Sequence, residues 1–65
     1  MLTVKQNGGL LIVRDSEGRM VRKLNAVAAA KDWLKLGAAE FYKKYGFCFQ
    51  PHGSTLAEAT RQMGQ

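Results

Sequence analysis

The sequence is poor in cysteine, in proline and in long apolar runs, and each shortage excludes a class of protein. Cys48 is the single cysteine, so no disulfide can form within the chain, which fits a reducing compartment. The longest apolar run, "GLLIV" at residues 9–13, is too short to span a bilayer. The first residues also lack the apolar segment of a signal peptide. We therefore expect a cytoplasmic protein without a membrane partner.

Acidic residues are scarce as well, since five Asp and Glu stand against ten Lys and Arg, for a net charge of +5. Such an excess favours an acidic partner, either nucleic acid or the acidic face of a larger protein or nucleoprotein complex. The same charge could serve only to keep a small protein in solution. The 65 residues form one small basic domain, residues 1–65, whose thin core leaves no room for a large substrate pocket.

The chain does contain a clear strand pattern near its start. Apolar and polar residues alternate, and the pattern predicts three strands: Leu2–Gln6, Leu10–Arg14 and Arg19–Leu24. The Asn-Gly pair of "NGG" is a strong signal for a hairpin between the first two. In "DSEG", which follows the second strand, Asp15 can cap the turn and Gly18 can take a positive φ. These elements predict a three-stranded antiparallel meander.

A helix follows, because Asn25 is a good N-cap and residues 26–45 are rich in Ala, Leu and Lys. On a helical wheel one apolar stripe is formed by Val27, Ala30, Leu34, Ala38, Phe41 and Tyr45. Gly37 could split the segment into two helices or lie inside one helix at a cost of about 1 kcal/mol. The stripe keeps its phase across Gly37, so we favour one long helix that can bend there. Gly46 is predicted to end the helix.

After the helix, "FCFQ" at residues 47–50 predicts either a short fourth strand or an irregular return that fills the core. Thr55 and Glu58 have the spacing of a capping box, so Leu56–Met63 is expected to form a short terminal helix. The predicted fold is therefore α+β, with a three-stranded antiparallel meander, one long helix, a fourth strand or return, and a short C-terminal helix.

Basic residues are concentrated on the second and third strands. In the register that we favour, Val13 lies opposite Val21, which places Lys23 on one sheet face and Arg22 and Leu24 on the other. One helix covers only one face, so the other would mix basic and aliphatic side chains. The candidate contacts with nucleic acid or another partner are Arg14, Arg19, Arg22, Lys23, Lys31, Lys35 and Tyr42. The strand charges could equally protect a small sheet from edge pairing.

The stretch "IVRDSEGRMVRKLNAVAAAKDWL", Ile12–Leu34, resembles the small DNA-binding arm domains of tyrosine recombinases. Those domains also place a three-stranded sheet before a helix and use the sheet to read DNA. The resemblance covers about a third of the chain and implies the same order of elements. The second strand departs from the family, because it is aliphatic where the arm domains tend to carry aromatic and basic residues. No binding residue is carried over from the family.

No motif indicates catalysis, a metal or a cofactor. Cys48 and His52 are four residues apart, but a zinc site needs four ligands and the sequence supplies only these two good ones. A dimer could share two of each, whereas a buried Cys48 beside a surface His52 is the simpler interpretation. We expect a protein that is not an enzyme and that holds no cofactor and no metal.

Two functions are compatible with these features. The first is a small binding protein that engages nucleic acid, or a nucleoprotein complex, through a basic sheet face. The alternative is a protein-targeted inhibitor or adaptor, such as an anti-CRISPR-like or host-takeover protein carried by a phage or mobile element. Trp33 and Leu36 lie off the predicted core stripe, so they are candidates for contact with a partner protein or within a homodimer, unless the terminal helix covers them.

Overall fold

The computed structural model describes residues 1–64 and confirms the predicted order of elements. The elements are the strands β1 (Thr3–Asn7), β2 (Leu10–Arg14) and β3 (Met20–Asn25) and the helices α1 (Ala26–Tyr45) and α2 (Gly53–Met63). The strands form one antiparallel sheet in the order β1-β2-β3, so β1 and β3 are its edges. Within residues 1–64, neither helix is long and apolar enough to cross a membrane.

Both predicted turns form. Gly8 takes a φ of 61° in the two-residue connection between β1 and β2, where a primed hairpin turn requires a positive φ. In the next turn, the Asp15 carboxylate accepts hydrogen bonds from the backbone N–H groups of Glu17 (2.9 Å) and Arg19 (3.0 Å). Gly18 has a φ of 84°. The meander is therefore fixed by local turn chemistry, as the sequence indicated.

The register between β2 and β3 differs from the predicted one, because β3 contains a β-bulge. Val13 pairs with Arg22 rather than with Val21, which has no partner on β2. The extra residue moves Leu24 to the face that packs against the core and Lys23 to the opposite face. The alternation of "RMVRKL" fits both registers, so strand pattern alone could not identify the bulge.

Helix α1 is broken at Gly37, whose backbone lies at φ 82° and ψ 168°. This conformation is essentially restricted to glycine. α1 therefore consists of a first segment, residues 26–36, and a second segment, residues 38–45. Asn25 caps the first segment by accepting a hydrogen bond from the backbone N–H three residues on (2.9 Å), and Gly46 ends the second segment with a φ of 83°.

The bend at Gly37 is sharp, because side chains from its two sides meet. The Asp32 carboxylate accepts hydrogen bonds from the Tyr45 hydroxyl and from the Lys44 ammonium group (3.1 Å). Asp32 and Tyr45 are 13 residues apart. In a straight helix their Cα atoms would be separated by about 20 Å, which these side chains cannot bridge. The second segment therefore folds back towards the first.

The core combines small residues of the helices with aromatic rings. Its buried members are Leu11, Val13, Ala26, Ala29, Ala30, Phe41, Phe47, Phe49 and Ala59. The ring of Phe41 stacks on Tyr45, with centroids 4.4 Å apart, and lies 5.7 Å from the rings of both Phe47 and Phe49. Alanines form most of the buried face of the first segment, while the rings of the second segment and of residues 47–49 fill most of the remaining core volume.

The predicted apolar stripe is wrong for Leu34 and Ala38, which are exposed. The break at Gly37 ends the helical phase, so a stripe drawn across it has no physical continuity. The buried face of the first segment instead follows helical spacing from Ala26 and ends at Trp33, which packs against the core and is half-buried. Leu36 remains 40% exposed, so only Trp33 differs from the expectation that both residues lie off the core. Contact of these two residues with a partner stays a prediction.

The chain after α1 returns without a fourth strand. Phe47 and Phe49 are buried in the core, which is the core-filling alternative of the two that the sequence left open. Cys48 between them is exposed, contrary to the burial that we expected. Burial therefore alternates along residues 47–49, with both phenylalanines in the core and the cysteine on the outside.

Helix α2 begins at Gly53, earlier than the predicted Leu56, so the expected capping box does not form. Thr55 lies inside the helix and is buried. Its hydroxyl accepts a hydrogen bond from the side-chain amide of Gln6 on β1 (2.8 Å). Thr55 therefore makes a tertiary hydrogen bond to Gln6 instead of the helix cap that the sequence spacing predicted.

We expect Gly37→Ala to destabilise the protein by about 1–3 kcal/mol, because alanine resists this backbone conformation although the space around the position is open. Gly53→Ala is the matched control, since Gly53 also has open space but lies in the first turn of α2 without a positive φ. That change should be neutral or slightly stabilising. Urea unfolding of both variants measures the difference, and equal stabilities would contradict the requirement for glycine at the bend.

Candidate nucleic-acid interface

The sheet has one face that no other element covers. The strand registers place Lys5, Ile12 and Lys23 in one row across β1, β2 and β3. Arg14 lies in the next row, opposite Met20. We define the open face by its side chains: Thr3, Lys5, Asn7, Leu10, Ile12, Arg14, Met20 and Lys23. All of them are exposed except Ile12, which is half-buried by its neighbours.

None of the acidic residues belongs to the open face, and all of them are held in ion pairs elsewhere. The pairs are Asp15–Arg19 (3.4 Å), Glu17–Arg19 (3.1 Å), Asp32–Lys44 (3.1 Å), Glu40–Lys43 (3.4 Å) and Glu58–Arg61 (2.5 Å). Four basic residues make these contacts. Within residues 1–64 the other six of the ten have no carboxylate within 4.0 Å, and they are Lys5, Arg14, Arg22, Lys23, Lys31 and Lys35.

The structure separates the strand residues that the sequence grouped together. Arg14 and Lys23 lie on the open face, and Arg14 donates one hydrogen bond to the Gly18 carbonyl (2.9 Å). Arg19 lies in the turn before β3, where two carboxylates neutralise it. Arg22 is on the opposite face, with its guanidinium carbon 5.1 Å from the centroid of the Tyr45 ring. Only half of the predicted strand cluster therefore shares a surface.

Lys5 is the one basic residue of the open face that was not among the predicted contacts. Its position could have been found from two signals. The alternation of β1 puts Lys5 on the face opposite Val4, and a two-residue turn sets the register that pairs Lys5 with Ile12. Lys5 and Lys23 then flank Ile12 from the two edges of the sheet.

A second basic surface lies in a groove between β3 and α1, with a volume of about 290 Å³. We call it the β3–α1 groove, and its polar lining is Asn25, Lys31, Asp32, Lys35 and Tyr45. Tyr42, which the sequence placed beside the two lysines, lies in a different hollow with Phe47 and Cys48. The break at Gly37 separates it from them. Tyr42 is the exposed ring that was expected, but it does not extend the lysine line.

Among the described residues, Asp32 is the one carboxylate that lines the β3–α1 groove, and close partners stabilise its charge. Hydrogen bonds from Tyr45 and then from Lys44 hold the pKa of Asp32 below its ordinary value. The same contacts raise the pKa of Lys44, through the hydrogen bond to Asp32. The pKa of Tyr45 is raised too, first by its hydrogen bond to Asp32 and then by burial. At neutral pH the groove thus contains a neutral phenol and a paired carboxylate beside two unpaired lysines.

None of the strands contains an aromatic residue. Every Trp, Tyr and Phe lies between residues 33 and 49, whereas the strands end at Asn25. The open face therefore offers cations and aliphatic side chains but no ring on which a base could stack. In the described part of the chain, no group of three His, Cys, Asp or Glu residues is placed to hold a metal ion, and Cys48 and His52 have no further ligand nearby.

Comparison with known proteins gives no assignment. No protein-family model matches the sequence, and no curated protein and no solved structure is significantly similar to it. A function must therefore be inferred from the charge and shape of the surfaces of this chain.

Asp32→Asn should lower the stability of the protein near neutral pH, and the deficit should shrink as the pH falls. The pKa of Asp32 lies below its ordinary value of 3.8 in the folded state, so the stability it contributes is fully present above that value. It is lost as the pH drops through the lowered pKa. Thermal melts from neutral pH down to about pH 2 measure this.

Glu40→Gln is the control for the Asp32 variant, because the Glu40 carboxylate makes only an exposed contact with Lys43 one turn away. Its effect should be small at every pH. A deficit of Asp32→Asn that stayed constant down to the lowest pH would show that the carboxylate charge is not what closes the bend.

Proposed function

We propose that this protein is a non-enzymatic binding protein that engages nucleic acid, free or within a nucleoprotein complex, through the open face. The observation that carries the proposal is the set of unpaired cations Lys5, Arg14 and Lys23 around Ile12, on a surface that, within residues 1–64, no helix covers and no carboxylate shares. A protein that needed charge only for solubility could place its cations anywhere on its surface. Here the acids pair with cations of the turn, of the second segment of α1 and of α2, and they leave the sheet basic.

The geometry of the open face suits a phosphate backbone. Lys5 and Lys23 are two strand spacings apart, which is about 10 Å between their Cα atoms, and they project from a rigid frame. Arg14 uses one N–H on the Gly18 carbonyl and keeps the other donors of its planar guanidinium for a ligand. Because the face has no aromatic ring, its affinity would come from phosphate contacts rather than from base stacking.

The second candidate function is a protein-targeted inhibitor or adaptor of the anti-defence or host-takeover kind. It is supported by exposed apolar side chains of the sheet: Met20 is 54% exposed with Val21 of the bulge next to it at 48%, and Leu10, at the other end of β2, is 40% exposed. A pull-down from a host lysate separates the two functions. One stoichiometric protein partner that survives nuclease treatment favours the second, and recovery of nucleic acid alone favours the first.

The test of the first function is the salt dependence of duplex binding by Lys5→Gln/Lys23→Gln. Each phosphate contact adds about 0.9 to the slope of log K against log salt, so the variant should lose about 1.8 from the slope. The matched control is Lys43→Gln/Arg61→Gln, which removes the same charge from residues that are ion-paired on the helices. The control should keep the wild-type slope.

Circular dichroism melts accompany both variants to show that each is folded. Absence of duplex and single-strand binding by the wild type at low salt would refute nucleic-acid binding. Equal losses in the two variants would show that only net charge matters and that the open face has no special role.

A further inference from the structure

We infer that the β3–α1 groove is a second phosphate-binding surface, which contacts the same nucleic acid where it passes over the edge of β3. The inference rests on the proposed function and extends its footprint beyond the sheet. Lys31 and Lys35 supply the charge, since they are one helical turn apart and neither has a carboxylate within 4.0 Å in the described chain. Asn25 lines the groove on the strand side.

The carboxylates near these lysines do not cancel their charge. Asp32 is bound by Lys44 and Tyr45, and Lys35 acts on it only at longer range. Glu58, which Lys31 also influences at longer range, is bound by Arg61 at 2.5 Å. Both carboxylates therefore have closer cationic partners of their own.

The two basic surfaces are joined along β3. It is an edge strand, so no further strand separates the two faces of the sheet there. Lys23 projects onto the open face, while Arg22, the preceding residue, projects onto the other face above the Tyr45 ring that lines the groove. Neither of them has an acidic partner within residues 1–64. Unpaired cations thus continue from the open face, across the β3 edge, into the groove.

A duplex is the ligand that this arrangement suits. Among the described residues, Tyr45 is the only ring that lines the groove. It stacks on Phe41, and the cationic groups of Arg22 and Lys44 lie over it at 5.1 and 5.3 Å from its centroid, so it offers no free face to an unpaired base. The groove can therefore contact only the phosphate backbone of a nucleic acid, as the open face does. Since a duplex carries phosphates along two strands, it can meet two basic surfaces that face different directions.

The experiment compares Lys31→Gln/Lys35→Gln with Lys5→Gln/Lys23→Gln and with Lys43→Gln/Arg61→Gln, three variants of equal net charge. The probe is a duplex of about 12 base pairs, whose length of about 41 Å matches the 40 Å long axis of the protein. The groove variant should lose about 1.8 from the salt slope, as the open-face variant does, while the ion-paired control stays at the wild-type slope.

Two results would overturn the inference. If the groove variant keeps the wild-type slope while the open-face variant loses its share, the groove is not contacted, and nucleic-acid binding by the sheet still stands. If titration finds two duplexes per protein, the groove is an independent site rather than a continuation of the open face. Failure of the wild type to bind any duplex at low salt refutes the proposed function instead, so the two failures are distinguishable.

Discussion

The sharp bend of α1 at Gly37 is the constraint on which the rest of the structure depends. A straight helix of 20 residues would be about 30 Å long, whereas strands of five or six residues extend for only about 17–20 Å. The end of such a helix would project past the sheet with its aromatic rings in water. The bend at Gly37 instead places Phe41 in one core with Leu11 and Val13. The hydrogen bonds that Asp32 accepts from Lys44 and Tyr45 hold the two segments of α1 together.

The core that results is small, and the distribution of charge follows from it. The helices and the turn carry the carboxylates, and each of these finds a cation close to it in the chain or across the corner. The sheet carries cations alone. Because the second segment and α2 are neutralised internally, the unpaired cations of residues 1–64 are confined to the open face, the edge of β3 and the β3–α1 groove. A polyanion would therefore meet a directional surface rather than a diffuse positive cloud.

Features that depend on neighbours in the sequence could be predicted, and those that depend on distant neighbours could not. Asn25 and Gly46 bound α1 as expected, because capping and left-handed termination are decided within one helical turn. The sequence allowed a bend at Gly37, but its sharpness is set by side chains 13 residues apart. The bulge at Val21 and the hydrogen bond from Gln6 of β1 to Thr55 likewise depend on tertiary contacts. The candidate site could therefore be predicted only in part, because the bulge determines which basic residues of β3 lie on the same face of the sheet as Arg14.

The bulge also bears on how this chain could vary in evolution. Val21 is a residue more than β2 needs, so a related sequence one residue shorter at that point would pair regularly and still keep Leu24 inside and Lys23 outside. An insertion further along β3 would reverse the two and bury a lysine. Homologues should therefore tolerate an alignment gap between Met20 and Lys23 but not added length after it, an asymmetry that would be visible in sequence families long before any of their structures were known.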